Sequence, residues 1–417
     1  MMRGRDFTAA QRALLAQFDD DLFKVMVDQL GLPDGAEGNK LLLFRPFEEG
    51  GLGLRPLSQV LEPARGGGVA SHAAAGAPGL APAVRRAVAG AGAPGSTVAA
   101  GVAALAGGGY AVRADGAVYE IRSGKIVSAA KMQSTLQKTQ DERGAHRVDH
   151  SRLTTAAQLH VNNLTASFTA FWSSTPNPKT LLTDAEFGNA VRTVTGDNSL
   201  REYTQVLGSV CKACRQPAGV AHEHKCPQAS GADRIAMHNA VLEATHQYTI
   251  GSGEAAVGVV ERSVSAPRMS TRTPHGNSRV DFDGVRPVRG VPRREHMDVL
   301  VMDLTVHHTT STVVQGAALR HAEQVKVRQR AGAAALAGAT FVPFVVARTG
   351  VIGPAAMAWL KEHRGQRSAR EYRWWLAVIV ATVYRGAYRE LAGYLGRVSR
   401  LTHHPVAAVG ELVDSVL

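Results

Sequence analysis

All three cysteines of the 417-residue chain fall in one sixteen-residue stretch, CKACRQPAGVAHEHKC, at positions 211–226. Two residues separate Cys211 from Cys214, a spacing at which a single turn aims two thiolates at one ion. Seven more separate Cys214 from His222, and three separate His222 from Cys226. Three sulfurs and one nitrogen suit tetrahedral zinc, and Pro217 and Gly219 can reverse the chain so that the second pair of ligands returns to the first. His224 competes for the nitrogen position, but it lies so close to Cys226 that joint ligation would strain the loop, so His222 is preferred. A reduced, metal-free turn is the alternative. Units this short fold only with their metal, so zinc would act as a staple. A closed four-ligand site has no position open to substrate, and catalysis must be sought elsewhere in the chain.

The carboxylates come next. Asp303 sits in VLVMDLTVHH, where a charge on a buried strand is costly unless a metal or a cation compensates it. Strand alternation places Val301, Asp303 and Thr305 on one face. Upstream, Asp281 in SRVDFDGV begins a second strand able to pair with the first, with Asp283 or Asp298 as alternatives to it. Two carboxylates converging on Mg2+, with a lysine nearby to assist water or stabilise charge on phosphorus, are the minimum for phosphodiester hydrolysis. Lys326, on the helical stretch after the second strand, is the lysine of choice; its alternative role is a solvated charge on a helix face.

These residues must be positioned by elements that the sequence also signals. Apolar residues at helical spacing (Ala13, Leu14, Phe18, Leu22, Val25, Met26) predict a helix over 6–31 that stops at GLPDG. From Gly66 to about Gly109 the chain is rich in Ala, Gly and Pro, with no acidic residue between Glu62 and Asp115, which reads as linker or weak helix. A hairpin is expected around ADG and SGK, at 114–116 and 123–125. A helix over TLLTDAEFGNAVRTVTG would be capped by Thr183 or Asp184, with Glu186 in the first turn and Leu181, Leu182, Phe187, Ala190 and Val191 on one face. Beyond the cysteine cluster, a helix (ADRIAMHNAVLEATHQY), a strand (MDVLVMDLTV), a helix, a second strand (TFVPFVVART) and two further helices alternate, so this half reads as α/β.

Composition limits the function. The chain holds 47 Lys plus Arg against 35 Asp plus Glu, a formal net charge of +12, which makes nucleic acid the default partner. The longest apolar run, WWLAVIVATVY, is too short to span a bilayer, so no membrane role is expected. From Arg262 to Arg294 there are eight arginines and only two acidic residues. Arg268, Arg272, Arg279, Arg286, Arg289, Arg293 and Arg294 form a cationic strip able to track a phosphate backbone, or else a loop that only aids solubility.

The order of these parts resembles the C-terminal portion of non-LTR retrotransposon polyproteins that carry a restriction-like endonuclease, the CRE/SLACS-like class. FDDDLFKVMVDQLGLP followed by LLLFRPFEEGGLGLRPL looks like the family's reverse-transcriptase thumb. LLTDAEFGNAVRTVTG resembles the helix before its Cys-Cys-His-Cys knuckle, VMDLTV the strand with the second catalytic acid, and FVPFVVARTGVIGPAAMAWLKE the strand, turn and helix after the lysine. The resemblance implies a multidomain α+β and α/β chain: a thumb remnant (1–65), an Ala/Gly-rich linker with a hairpin (66–130), a helical linker (131–208), a zinc knuckle (209–230), a restriction-like endonuclease domain (231–395) and a C-terminal helix (396–417). It implies Mg-dependent nicking of DNA by Asp281, Asp303 and Lys326, structural zinc, element RNA as a further partner, and a nuclear location. FDDDLF sits on an amphipathic helix, not on a palm hairpin, so polymerase chemistry is not expected. Val280 stands where the family has proline, and Thr305 where restriction-type nucleases often have lysine. The rival is a non-catalytic nucleic-acid-binding remnant that keeps the knuckle; a zinc protein acting on protein partners is a third reading.

Overall fold

The computed structural model describes residues 9–29, 42–54, 97–112, 117–128, 153–195, 210–211, 213–217, 222–227, 231–250, 281–288, 291–304, 316–365 and 367–402, with isolated positions between 60 and 136 and between 261 and 277. The fold is α+β. The chain divides into two compact units, Met1–Met26, Leu43–Pro46 and Gly53–Asp149 in the first, and Val27–Leu42, Phe47–Leu52 and His150–Leu417 in the second.

In the first unit, helix α1 (Ala9–Gln29) forms where the periodicity places it, but Leu14, Phe18, Leu22 and Val25 are all exposed. Helix α2 (Thr97–Gly108) leads into a three-stranded antiparallel sheet of β1 (Tyr110–Val112), β2 (Val118–Glu120) and β3 (Ile126–Val127), the expected hairpin extended by one strand. Gly124, at φ +70° in the SGK turn, takes the left-handed conformation that glycine adopts without strain. Val69, Ala70, Leu105, Val112, Val118, Met132 and Leu136 form a small core. The stretch read as linker therefore contributes Val69, Ala70 and α2 to packed structure, because a few branched residues at the right spacing suffice where Ala and Gly let neighbours approach.

The second unit begins with α3 (Thr155–Asn162), α4 (Ala166–Trp172) and α5 (Asp184–Thr195). The cap of α5 is reciprocal: Glu186 N–H donates to Thr183 Oγ1 (3.3 Å) and Thr183 N–H to the Glu186 carboxylate (2.9 Å). Ala190 and Val191 are fully buried, whereas Leu181 and Phe187 of the expected face stay exposed. After the one-turn α6 (His222–Lys225) comes α7 (Gly231–Ile250). A four-stranded sheet follows in the order β4 (Glu261–Arg262), β7 (Phe282–Val288), β8 (Val291–Met302), β9 (Thr340–Ala347); β5 (Arg272–Thr273) and β6 (Gly276–Asn277) pair separately. β7 and β8 form an antiparallel hairpin, and β8 and β9 run parallel, joined through α8 (Ala317–Leu336). Alternation sorts the faces. Met297, Val299, Val301, Val342, Phe344 and Val346 pack with α7, α9 (Pro354–Glu362) and α10 (Ala369–Thr402) in the main core.

The 34-residue α10 starts at a Ser-x-x-Glu box, in which Glu371 N–H donates to Ser368 Oγ (3.2 Å) and Ser368 N–H to the Glu371 carboxylate (2.8 Å). It runs through residue 396 without a break, so the C-terminal helix expected to begin there is the last turns of α10; residues after 402 lie outside the described set.

Two residues, Glu323 and Gly350, fix α8 and the β9 turn. Glu323, one turn before Lys326, accepts the amide of Ala355 at the start of α9 (2.8 Å). Burial pushes its carboxyl up, only partly offset by the amides of Ala355 and Ala356. A raised folded value means that its contribution is present below the unfolded range and lost as pH rises through the folded one. Glu323→Gln, which keeps an acceptor oxygen, should therefore reduce the fall in melting temperature between pH 5 and 8; an unchanged pH profile would contradict this. Gly350 turns the chain after β9 at φ +80°, and a Cβ there would meet Val380 Cγ1 at 2.6 Å and Tyr384 Oη at 2.7 Å. Gly350→Ala should cost roughly 2–4 kcal/mol in denaturant unfolding, from overpacking and left-handed strain together.

Candidate functional site

The ligand atoms of Cys211, Cys214, His222 and Cys226 all lie within 4.8 Å of one another. Cys211 Sγ and Cys226 Sγ are 4.0 Å apart, and Cys214 Sγ lies 3.3 Å from His222 Nε2. A tetrahedron with Zn–S of about 2.3 Å has sulfur–sulfur edges of about 3.8 Å, so the cluster could bind a metal such as zinc. The first ligand pair is set by a tight loop: Arg215 N–H donates to Cys211 O (2.7 Å), Cys211 N–H to Gln216 O (2.8 Å), and Val210 bridges Pro217. Arg215 takes a left-handed φ of 62° to allow it. In the second pair, Cys226 N–H closes the α6 turn on His222 O (2.7 Å). Burial opposes the Cys211 thiolate. The Tyr394 hydroxyl, 2.8 Å from Sγ, and the amides of Cys214 and Ala213 outweigh that burial and hold the thiol down at about 6. Burial and the adjacent sulfur push the Tyr394 hydroxyl up, so it stays protonated and donates.

His224 points away from the cluster. Its Nδ1 lies 3.1 Å from Glu390, a carboxylate with no solvent exposure on α10, which Arg234 (3.6 Å) and Arg348 (3.7 Å) also approach. The competition between the two histidines is thus resolved by geometry: His222 faces the sulfurs and His224 serves a buried ion pair.

The acids are arranged differently from the sequence expectation. Asp281 lies just before β7, where Phe282 pairs with Met297, and its own N–H donates to Met297 O (3.0 Å). The two carboxyl groups interact directly. Asp281 also accepts His238 Nε2 (3.0 Å) and the Val299 amide (2.8 Å). Burial pushes Asp281 up, but these partners pull it below the usual carboxylate range, while the carboxylate raises His238. Lys326 Nζ lies 2.9 Å from both oxygens of Asp298, and Arg330 Nε 3.3 Å from one. Burial nevertheless leaves Asp298 raised, with Lys326 opposing it. Asp303 is buried just past the end of β8, five residues beyond Asp298, about 16 Å of extended chain. The register therefore brings Asp281 to Asp298 and does not bring Asp281 and Asp303 to one ion. Thr305 lies outside the described residues.

Of the arginine strip, Arg268, Arg279 and Arg289 lie outside the described residues, and Arg272 and Arg286 are placed only by their strands. Arg294 pairs with Asp283 (Nε to Oδ1 2.9 Å), which it holds below the usual range, and Arg293 donates to Thr340 Oγ1 (3.1 Å) near Glu295 and Glu362 (both 3.8 Å). Both remain part-exposed and already have acidic neighbours.

His238 has no signal in the sequence, and Asp298 enters there only as an alternative to Asp281, not as its partner. Hairpin arithmetic could have found Asp298: a turn centred on 289–290 makes it equidistant with Asp281. Nothing local marks His238, whose role comes from the packing of α7 beside β7. If the cluster holds zinc, purified protein should carry about one equivalent per chain by elemental analysis. Cys226→Ser should abolish it, while His224→Ala should keep the metal and lower the melting temperature.

No protein-family model matches the chain, and none of the curated proteins compared with it is similar.

Proposed function

We propose that the second unit carries a metal-dependent DNA endonuclease of the restriction-like type, in a retrotransposon-derived chain. The observation that carries this reading is the interacting pair Asp281 and Asp298, with Lys326 2.9 Å from Asp298. The order helix, hairpin, helix, parallel strand, in α7, β7–β8, α8 and β9, supports it, since it agrees with the order of parts on which the sequence resemblance rests. Two carboxylates pressed together in a part-buried site fit a divalent cation, which relieves their repulsion.

In this reading Asp281 and Asp298 would hold Mg2+, which when bound supplies charge neutralisation at the phosphate and a more acidic water. His238 and the Val299 amide keep Asp281 ionised and fixed. Lys326 would stabilise the negative charge that grows on the phosphoryl oxygens. Asp303 stands outside this set. The zinc knuckle and the part-exposed Arg293 and Arg294 would position DNA, with element RNA a second candidate polymer and the nucleus the place of action.

The non-catalytic rival has one observation in its favour. Lys326 and Arg330 already neutralise Asp298, so the acid pair is stable without a metal. A supercoiled-plasmid nicking assay with Mg2+ separates the two. Asp281→Ala and Asp298→Ala should each reduce nicking to background, whereas Asp303→Asn should retain most of it. Nicking that survives Asp298→Ala removes the site, and an inactive parent protein favours the rival.

A further inference from the structure

A divalent cation held by three thiolates and a neutral imidazole leaves one negative charge over, and Cys211, Cys226 and His222 are all buried. Such a surplus is costly unless hydrogen-bond donors face it. Two donors are local: the amides of Ala213 and Cys214, within the loop of the first ligand pair, meet Cys211. A third comes from 183 residues further along the chain, where the Tyr394 hydroxyl on α10 lies 2.8 Å from Cys211 Sγ. Tyr394 has no solvent exposure, and its ring packs edge-on to His222 with centroids 6.0 Å apart. One side chain therefore touches a ligand from each pair. Leu391 and Val398, about one turn to either side of it, pack with Cys211 and Cys226.

We infer that Tyr394 sets how tightly the cluster holds its metal, by hydrogen-bonding to the Cys211 thiolate and taking up part of the surplus charge. The inference rests on the metal reading of the cluster and is independent of the endonuclease reading. A metal-bound thiolate can only accept and a phenol can donate, so the contact persists in the loaded centre as a charge-assisted bond. Partners that touch a ligand and not the metal fix the ligand's orientation and tune its electron density. The hydroxyl also ties the metal to the fold. Upstream on the same helix Leu376, Ile379, Val383 and Ala387 fill the main core, so the free energy of metal binding acts on α10 as well as on the cysteine loop.

The test is a competition titration of zinc against a chromophoric chelator, on the full chain and on Tyr394→Phe, which removes one oxygen and keeps the ring. The variant should hold zinc about 10–100-fold more weakly. Cobalt(II) in place of zinc supplies a readout that lost packing would not move. The sulfur-to-cobalt charge-transfer band should shift to longer wavelength in Tyr394→Phe, because a thiolate without its donor gives up electron density more readily. The ligand-field bands, which report the tetrahedron, should stay where they are. Leu391→Ala is the control: it trims the same pocket without touching the hydrogen bond, so it should lower the melting temperature and leave the charge-transfer band in place. Should Tyr394→Phe fold poorly when stripped of metal, both measurements are made on protein refolded with the metal present. Zinc affinity equal to the parent's, or an unmoved charge-transfer band, overturns the inference. A parent that takes up neither metal overturns the metal reading of the cluster and this inference with it. Neither readout involves plasmid nicking, so the endonuclease reading stands or falls separately.

Discussion

Seven residue pairs, from Phe282↔Met297 to Val288↔Val291, lock β7 to β8, and the chemistry of the second unit depends on that register. Side chains alternate, so a slip of one residue would carry Asp298 from the α8 side, where Lys326 and Arg330 meet it, to the face where Met297, Val299 and Val301 pack. A carboxylate among those apolar side chains would lose Lys326 and Arg330, a cost of several kcal/mol for an ion. The slip would also move Asp281 from Asp298 and from the Val299 amide. The hydrophobic face and the acid pair therefore select the same register, each from its own side of the sheet.

Helix α10 does for the knuckle what the hairpin does for the acids. Glu390 and Tyr394 are four residues apart and so project from one face. One takes His224 and the other Cys211, while Leu391 and Val398 pack with Cys211 and Cys226. A loop with three cysteines has no core of its own; here it borrows one from a helix whose upstream half fills the main core. Holding His224 on Glu390 also leaves His222 alone before the sulfurs. The same buried carboxylate draws Arg348, just after β9, and Arg234 on α7, so the knuckle, the sheet and α7 share one electrostatic anchor.

What the sequence made legible follows from the range of the interactions involved. The cysteine cluster, the α5 cap and the alternation of strands and helices after residue 231 are local, readable from spacing within a few residues. The choice of Asp281's partner depends on where the hairpin turns, and the more conspicuous Asp303, set in a branched-residue run, drew attention from Asp298 five positions earlier. His238 depends on how α7 lies against the sheet, a contact across more than thirty residues that no short pattern encodes. The Ala/Gly-rich stretch is half legible: composition suggests a linker or weak helix, a helix does form at Thr97–Gly108, and what composition hides is the burial of Leu105 and its neighbours, because small residues pack closely around a few large ones.

The pairing of cations divides the basic residues by what they can do. Arg293 and Arg294 have side chains 39% and 41% exposed, and ion pairs at that exposure contribute little, so a phosphate can replace the carboxylate partner at small cost. Lys326 is different. Its side chain is 18% exposed and bound through both oxygens of an acid that is itself 7% exposed, so desolvation has already been met and its ammonium is held in place. Exchangeable arginines suit a sliding backbone contact whose strength falls with salt. A fixed lysine beside paired acids suits a task where position matters more than affinity, because a preorganised charge needs no reorganisation when negative charge develops next to it. The basic residues thus differ in what holds them: the part-exposed Arg293 and Arg294 have acidic neighbours, Lys326 is fixed on Asp298, and Arg234 and Arg348 meet at Glu390.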